Sequence, residues 1–529
     1  MAARTLLLGV DVGSGSIRAE VFLANGQSLG QARRTHHPHQ PIPGVAEYDP
    51  DAMTAAVLSC LRELATRCAI RPGETAGLAL DGMISGVMGV DADWVPTTPY
   101  TTPLDMRYGD TLNTILARHE RRIREVTGSG MAVIGPKIAW LKAAFPEACA
   151  RTRKFVTATG FIAGKLAGLR SAEAFVDFTY LWSTGLSDTL QYRWSDELCA
   201  AHGISRQLLP RIVEPTAIVG YLTQAMGRET GLGGGVPVVA GAGDQSAGFV
   251  GAGLNRPGMM ADVAGTYPIL ALCTDRFVPD LEARRIELFP SPIAGQFHAC
   301  QIINGGGLTH TWIAREMGGA TDEASLAEVF ASLDAKAATL APGCDGLVCS
   351  PHLGGRVCPA QTAMRGVWLG FTWTHRKEHF HRAFLEAIAF EHALALHVLR
   401  KLHPGLPAPE LRGFGGGTKS VLWNQIKADV LGLPYRALDK VDQATWGDAV
   451  LIGVAVGLFD DIARAAEQGW QAGATLQPNA ANHLAYQQIL RTYAAVGPAV
   501  EDACEHLREP SRAHAVAAEP SGHPTRPDR

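Results

Sequence analysis

The stretch LLLGVDVGSGSIRAEVFL, residues 6–23, decides the fold. Two β-type runs, 6–10 and 17–23, flank the small-residue turn Asp11-Val12-Gly13-Ser14-Gly15-Ser16. This predicts a hairpin with its glycine-rich tip exposed. Glycines at a strand end let backbone N–H groups approach phosphate oxygens with no Cβ in the way. A dinucleotide-binding fingerprint fits poorly. Arg18 stands where G-x-G-x-x-G needs its last glycine, and a strand rather than a helix follows. Arg18, if aimed at the tip, adds positive charge for a phosphate. Taken alone, a turn that simply needs glycine is an equally good reading.

The pattern returns at MADVAGTYPILALCT, residues 260–274. Each copy places an Asp in its first strand and a Gly with a hydroxyl residue at the turn. The copies lie about 250 residues apart and divide the chain into two halves. Between and after them the spacing predicts a helix over 50–68, entered by Asp49-Pro50-Asp51, and strands over 76–81 and 86–91. It also predicts a mostly helical region over 110–230 and a strand, loop and helix over 236–253. A helix is expected over 374–402, with Thr374 as its N-cap and an apolar stripe of Phe380, Phe384, Ile388, Leu396 and Leu399 interrupted by His392. A glycine turn opens another helix over 413–434. The polar, Pro- and Ala-rich tail from 506 is expected to be disordered.

Composition narrows the function classes. The 529 residues carry 47 Lys+Arg against 51 Asp+Glu, a net charge of −4, so no basic excess exists for binding nucleic acid. Hydrophobic residues at 47% and charged residues at 19% suit large globular cores. No apolar run reaches the length of a membrane span. Asp11 interrupts the N-terminal apolar run, so no secretory leader is expected. The ten Cys contain no C-x-x-C pair, and a reduced cytoplasmic protein is the expectation.

Two further stretches carry candidate chemistry. In Gly241-Ala242-Gly243-Asp244-Gln245 an Asp follows a buried strand among glycines, where it could take a proton from a substrate hydroxyl. A helix N-cap is the competing structural reading. Phe414-Gly415-Gly416-Gly417-Thr418-Lys419-Ser420 fails the Walker pattern, because Thr418 precedes Lys419. It offers a glycine corner at a helix start, suited to a flat base or a ribose, although a plain tight turn explains it as well. His375-Arg376-Lys377-Glu378-His379 spells an inverted zinc-protease pattern, but a solvated helix face is the better reading. Cys344, Cys349, His352 and Cys358 match no zinc spacing and read as ordinary packing.

In order and spacing these pieces resemble the FGGY family of carbohydrate kinases over residues 6–500. The carriers are D-x-G-x-x-x-x-R at Asp11–Arg18, G-x-G-D-Q at 241–245, A-G-T at 264–266 and G-G-G-x-x-S-x-x-W-x-Q from Gly415. Asp105-Met106-Arg107, Lys137-Ile138-Ala139-Trp140 and Pro351–Arg356 are weaker matches. The resemblance implies an α/β fold of two ribonuclease-H-like domains, 1–254 for the sugar and the catalytic base and 255–505 for ATP, with a cleft between them. It implies Asp244 as catalytic base. Asp11, Gly13, Ser14, Gly15, Ser16 and Arg18 would meet the terminal phosphate, with Asp11 holding Mg²⁺ through water. Gly265, Thr266, Gly307 and Thr311 would face them. Gly416, Gly417, Ser420 and Asn424 would border the adenosine.

The sugar side would include Met83, Ser85, Asp105, Arg107 and Asp244. Met83, Ile84 and Ser85 stand where xylulose kinases carry a glutamine–methionine–histidine run, and the tryptophan expected shortly before Asp105 is absent. The late glycine motif looks most like the xylulose kinase branch. A ketopentose such as xylulose is therefore the first expectation, with glycerol, ribulose and fuculose as alternatives. A small-molecule sugar partner is expected, with no nucleic acid and no membrane, and a homodimer stays open. An actin-like or chaperone-like ATPase is the rival of a different class.

Overall fold

A computed structural model describes residues 4–438, 443–469 and 472–516. The opening stretch forms the predicted hairpin from β1 (Leu6–Val12) and β2 (Ser16–Leu23), with Asp11 directly opposite Arg18. β3 (Ser28–Thr35), β4 (Thr75–Gly82), β5 (Ile218–Tyr221) and β6 (Pro237–Val239) complete a six-stranded sheet in the order β5-β6-β4-β1-β2-β3. The second half builds its own seven-stranded sheet. Its strands are β7 (Met260–Val263), β8 (Ile269–Thr274), β9 (Glu287–Pro290), β10 (Phe297–Ile302), β11 (Leu411–Phe414), β12 (Tyr435–Leu438) and β13 (Ala472–Leu476), in the order β9-β10-β8-β7-β11-β12-β13. In each sheet an antiparallel run ends at the Asp-bearing strand, β1 or β7, and parallel strands continue beyond it. The echo seen in sequence is therefore a repeat of topology.

Helix α1 (Pro50–Arg67) starts where Asp49 caps it, its carboxylate accepting from the Asp51 and Ala52 amides. Its apolar face, through Met53, Val57, Leu61 and Leu64, covers one side of the first sheet. The other side is covered from far along the chain. Helices α2 (Asp244–Gly251) and α6 (Ala444–Ala455) pack there, with Trp446, Val450 and Ile452 against Leu7, Phe22 and Ala79. The approach is close enough that a Cβ on Gly9 would lie 2.4 Å from the Thr445 carbonyl oxygen. The expected division at 254 separates the two sheets in sequence, but the core of the first sheet is completed by a helix of the second half.

The stretch 110–230 is mostly helical, as expected, its longer helices lying before Gly168. Beyond the helix Ala158–Ala167, short strands alternate with helices of one or two turns. The strand expected over 86–91 shortens to Met88–Val90. Helix α4 (Lys377–Leu402) begins after Arg376 rather than Thr374. The face expected to be solvated is buried. Arg382 bonds Glu386 at 2.8 Å, and Tyr486 donates to the same carboxylate at 2.8 Å. Tyr486 belongs to the C-terminal helix α7 (Ala480–Val516), which lies over α4. That helix continues past 506, where the disordered tail was expected to begin, and the rest of the tail, 517–529, lies outside the described residues. All ten cysteines are free thiols, and no described helix is long and apolar enough to cross a membrane.

Candidate active site

The β1–β2 tip carries Ser14 and Gly15 exposed, with Asp11 and Ser16 buried beneath them. Two aromatic side chains pin the tip from behind. His36 Nε2 bonds the Gly13 carbonyl at 2.7 Å, and Tyr48 donates its hydroxyl to the Ser14 carbonyl. The two rings stack with centroids 4.4 Å apart. With those carbonyls held back, the turn presents its amide side outward. A Cβ on Gly15 would meet nothing within 4 Å, so the space above the turn is open to a ligand. Arg18 forms an ion pair with Asp11 across the hairpin.

The second corner is assembled from three separate segments. Between β7 and β8 the turn holds Gly265 and the exposed Thr266. The Gly307 amide, in helix α3 (Gly306–Trp312), donates to the Thr266 carbonyl at 3.1 Å. A Cβ on Gly307 would lie 2.5 Å from the Gly265 carbonyl oxygen, so only glycine allows this contact. The Gly417 amide donates to the Ala264 carbonyl at 2.8 Å, bringing the third glycine stretch against the same turn. Gly416 is exposed, and its Cβ position is open to 4 Å and beyond. Thr311 donates its hydroxyl to the Gly307 carbonyl at 3.1 Å, tying the helix to its own first turn.

Ser420 and Asn424 hold this corner from beneath. Ser420 caps helix α5 (Val421–Leu431) through the Trp423 amide and donates to Asp334 at 2.6 Å. Asn424 is buried and donates to the Thr418 carbonyl at 2.7 Å.

Asp244 lies at the start of α2, the element that joins the two corners. The N-cap is Gly243 rather than Asp244 itself, so the carboxylate is not consumed as a cap, although it accepts from the Gln245 amide at 2.7 Å. Burial and the neighbouring charge of Asp11 push Asp244 up to about 7, against the opposing pull of the Gln245 amide and Arg18. Further along α2, Phe249 packs against Phe414, the residue before Gly415, with ring centroids 6.4 Å apart.

Two carboxyls that the sequence reading passed over stand behind Asp11. Asp81 on β4 is its register partner, and Asp448 on α6 accepts from the Val10 amide at 3.2 Å. Both are fully buried. Burial raises both, and for Asp81 the Asp448 and Asp11 charges add to it. Two adjoining buried acids repel each other's charge, which disfavours ionising both. The signal available in sequence was an Asp inside the apolar run Gly77–Gly82.

The sugar-side candidates are more enclosed. Met83 and Ser85 are buried, and the Met83 amide donates to the Val12 carbonyl at 3.1 Å. Ser85 takes a positive φ of 73°, and its carbonyl accepts from Lys137 Nζ at 3.0 Å. Lys137 is wholly buried, also donates to the Thr102 carbonyl, and is lowered by burial to about 7. Asp105 and Glu47 both bind the Arg107 guanidinium, which lies 4.6 Å above the Trp140 ring.

Two ribonuclease-H-like domains with matching sheet topology, and a carboxyl of raised pKa beside the Asp11 hairpin of the first, define a phosphotransferase fold of the sugar kinase and actin type. The comparisons narrow this class. The N-terminal domain of the FGGY family of carbohydrate kinases matches residues 6–251 and its C-terminal domain matches 274–456, so the chain belongs to that family of ATP-dependent sugar kinases. It is 24% identical to a xylulose kinase of Bacillus subtilis (strain 168), covering 92% of this chain and 95% of that one. It is 26% identical to an autoinducer-2 kinase of Enterobacter sp. (strain 638), covering 93% of each. The crystal structure of xylulose kinase from Rhodospirillum rubrum superposes with a TM-score of 0.84 at 25% identity, over 94% of this chain and 100% of that one.

Proposed function

We propose that this kinase transfers the γ-phosphoryl group of ATP to a hydroxyl of a small neutral sugar, a ketopentose such as xylulose in the first place. The observation that carries the reading is Asp244, a carboxyl raised to about 7 beside the Asp11 hairpin at the start of the helix that links both glycine corners. Phosphoryl transfer asks the protein mainly to align donor and acceptor and to neutralise charge. Asp244 orients the attacking hydroxyl and takes its proton as the new bond forms. The amides of the Ser14–Gly15 turn and of Gly265–Thr266 grip the phosphates from opposite sides, with Arg18 supplying positive charge. Gly416 and Gly417 leave room for the adenosine, while Ser420 and Asn424 keep that loop in shape.

Among the described residues no group of three or more His, Cys, Asp or Glu side chains is placed to hold a metal. Asp11 still fits Mg²⁺ held through water, because the ion keeps several waters and borrows substrate phosphates. When bound, the ion would neutralise charge on the transferring phosphate. On the sugar side Arg107 is engaged by two carboxylates and Lys137 by two carbonyls. That arrangement offers no spare cation and suits a neutral sugar over a sugar acid. The xylulose and autoinducer-2 kinases among the relatives support a small polyhydroxylated acceptor. Glycerol, ribulose and fuculose are the alternatives.

The test is ADP release with ATP and Mg²⁺ across xylulose, ribulose, fuculose, glycerol and gluconate. Saturable turnover with xylulose above the others upholds the proposal. Turnover with gluconate alone overturns the neutral-sugar reading, and no turnover with any of them overturns the kinase assignment for small sugars.

A further inference from the structure

A cavity of about 350 Å³ lies in the second half of the molecule, beneath helix α7 and away from both glycine corners. Helix α4 and the paired strands Val348–Ser350 and Val367–Leu369 close its other sides. This is within the size range of small-molecule sites. Much of its wall is hydrocarbon, from Val348, Met364, Leu394 and Val496 among others.

The polar part of the wall is one-sided. Glu391 is already paired, accepting from the Tyr493 hydroxyl at 2.7 Å and from Arg285 at 3.1 Å. Glu501 is likewise taken, by Arg356 at 2.8 Å and Gln361 at 3.3 Å. What remains is donor capacity. Each arginine spends only part of its five N–H groups on these contacts. His352 is 2% exposed and lines the cavity, yet neither ring nitrogen makes a hydrogen bond, Nε2 being 3.5 Å from Glu391 Oε1. Nε2 has only this long contact to Glu391 and Nδ1 has no hydrogen-bond partner, so the buried ring keeps capacity for a ligand.

We propose that this cavity is a binding site for an amphipathic carboxylic acid, its head group accepting from Arg285, Arg356 and His352 and its hydrocarbon body lying against Leu394 and Val496. Arginine and carboxylate pair well because the fork of N–H groups matches two oxygens. The same turn of α4 presents Glu391 to the cavity and His392 to Asp262 on β7, at 3.3 Å. A ligand bearing on Glu391 therefore sits one residue from the support of the second hairpin.

The full-length protein, without ATP or sugar, is titrated calorimetrically with octanoate, 4-phenylbutyrate and octanol. Saturable binding of either acid, with a Kd of about 1 mM or tighter and at least tenfold tighter than octanol, is the expected result. Val496→Trp fills the cavity from its rim and should weaken that binding by at least tenfold. His352→Phe, which keeps the volume but removes the donors, should weaken the acids and leave octanol unchanged. No saturable heat from either acid up to about 10 mM overturns the site. Equal binding by folded Val496→Trp also overturns it, and octanol binding as tightly as the acids overturns the ligand class.

Discussion

The two hairpins carry the same local pattern and do opposite things with their aspartates. Asp11 precedes its turn glycine, Gly13, by two residues, whereas Asp262 precedes Gly265 by three. Side chains alternate between faces along a strand, so that single-residue offset sends the two carboxylates to opposite faces of their sheets. Asp11 lies on the face shared with Asp244 and Arg18. On β7 it is Ala261 and Val263 that face the Phe249 core between the halves, while Met260 packs with Leu396 and Leu399 on the far side. Asp262 shares that far side and is ion-paired to Lys427, accepts from Tyr435 at 2.6 Å and lies beside His392. Burial opposes its ionisation, but the Lys427 and His392 charges overcome this and hold it well below the usual carboxylate range. One hairpin pairs its acid with the arginine across the turn, near Asp244, and the other spends its acid on holding helices α4 and α5 to the sheet.

The contrast can be broken most directly at the acid beside the first hairpin. Asp244→Asn should lower kcat by roughly 10²–10⁴-fold with ATP affinity preserved. Near-normal turnover in a steady-state ADP assay would remove it from the mechanism. At the second hairpin the loss should be in folding. Lys427→Met removes the cation paired with buried Asp262 and should cost about 3–5 kcal/mol in urea unfolding. A matching loss of stability in Asp11→Asn would erase the distinction between the hairpins.

Gly416→Val should raise the KM for ATP about tenfold while leaving the melting temperature in place, since its Cβ enters open space rather than protein. An unchanged KM would mean that the nucleotide lies elsewhere. The smallest effect is in the pH profile. Asp244 is raised, so it holds a proton below about 7 and becomes a base above it. kcat/KM should climb with pH through about 7 and level off, and a profile flat from pH 5 to 8 would show that this carboxyl does not titrate in the rate-limiting step. The same shift makes the acid a stabilising group when protonated, fully so below its ordinary value of 3.8, with that stability lost as pH rises through about 7.

The glycine turns were readable in advance because they are local backbone features. Glycine clusters such as Gly13–Gly15 and Gly415–Gly417 announce themselves in any sequence, and the elements around them follow ordinary periodicity. The enclosed acids Asp81 and Asp448 were not readable, because nothing local marks an Asp in an apolar run as one that will meet another acid more than 360 residues away. The polar face of α4 was misjudged for a related reason. Arg382 and Glu386 look solvated until Tyr486 arrives from a helix near the chain end to complete their bonding.

Strand alternation, turn glycines and caps act over a few residues, so the amino-acid order was enough to establish the doubled hairpin and the family. Which face each aspartate addresses, and which buried charges find partners, depended on helices brought in from hundreds of residues away. Desolvation and Coulomb energies are set by what surrounds a group in space, and only the folded chain supplies those surroundings.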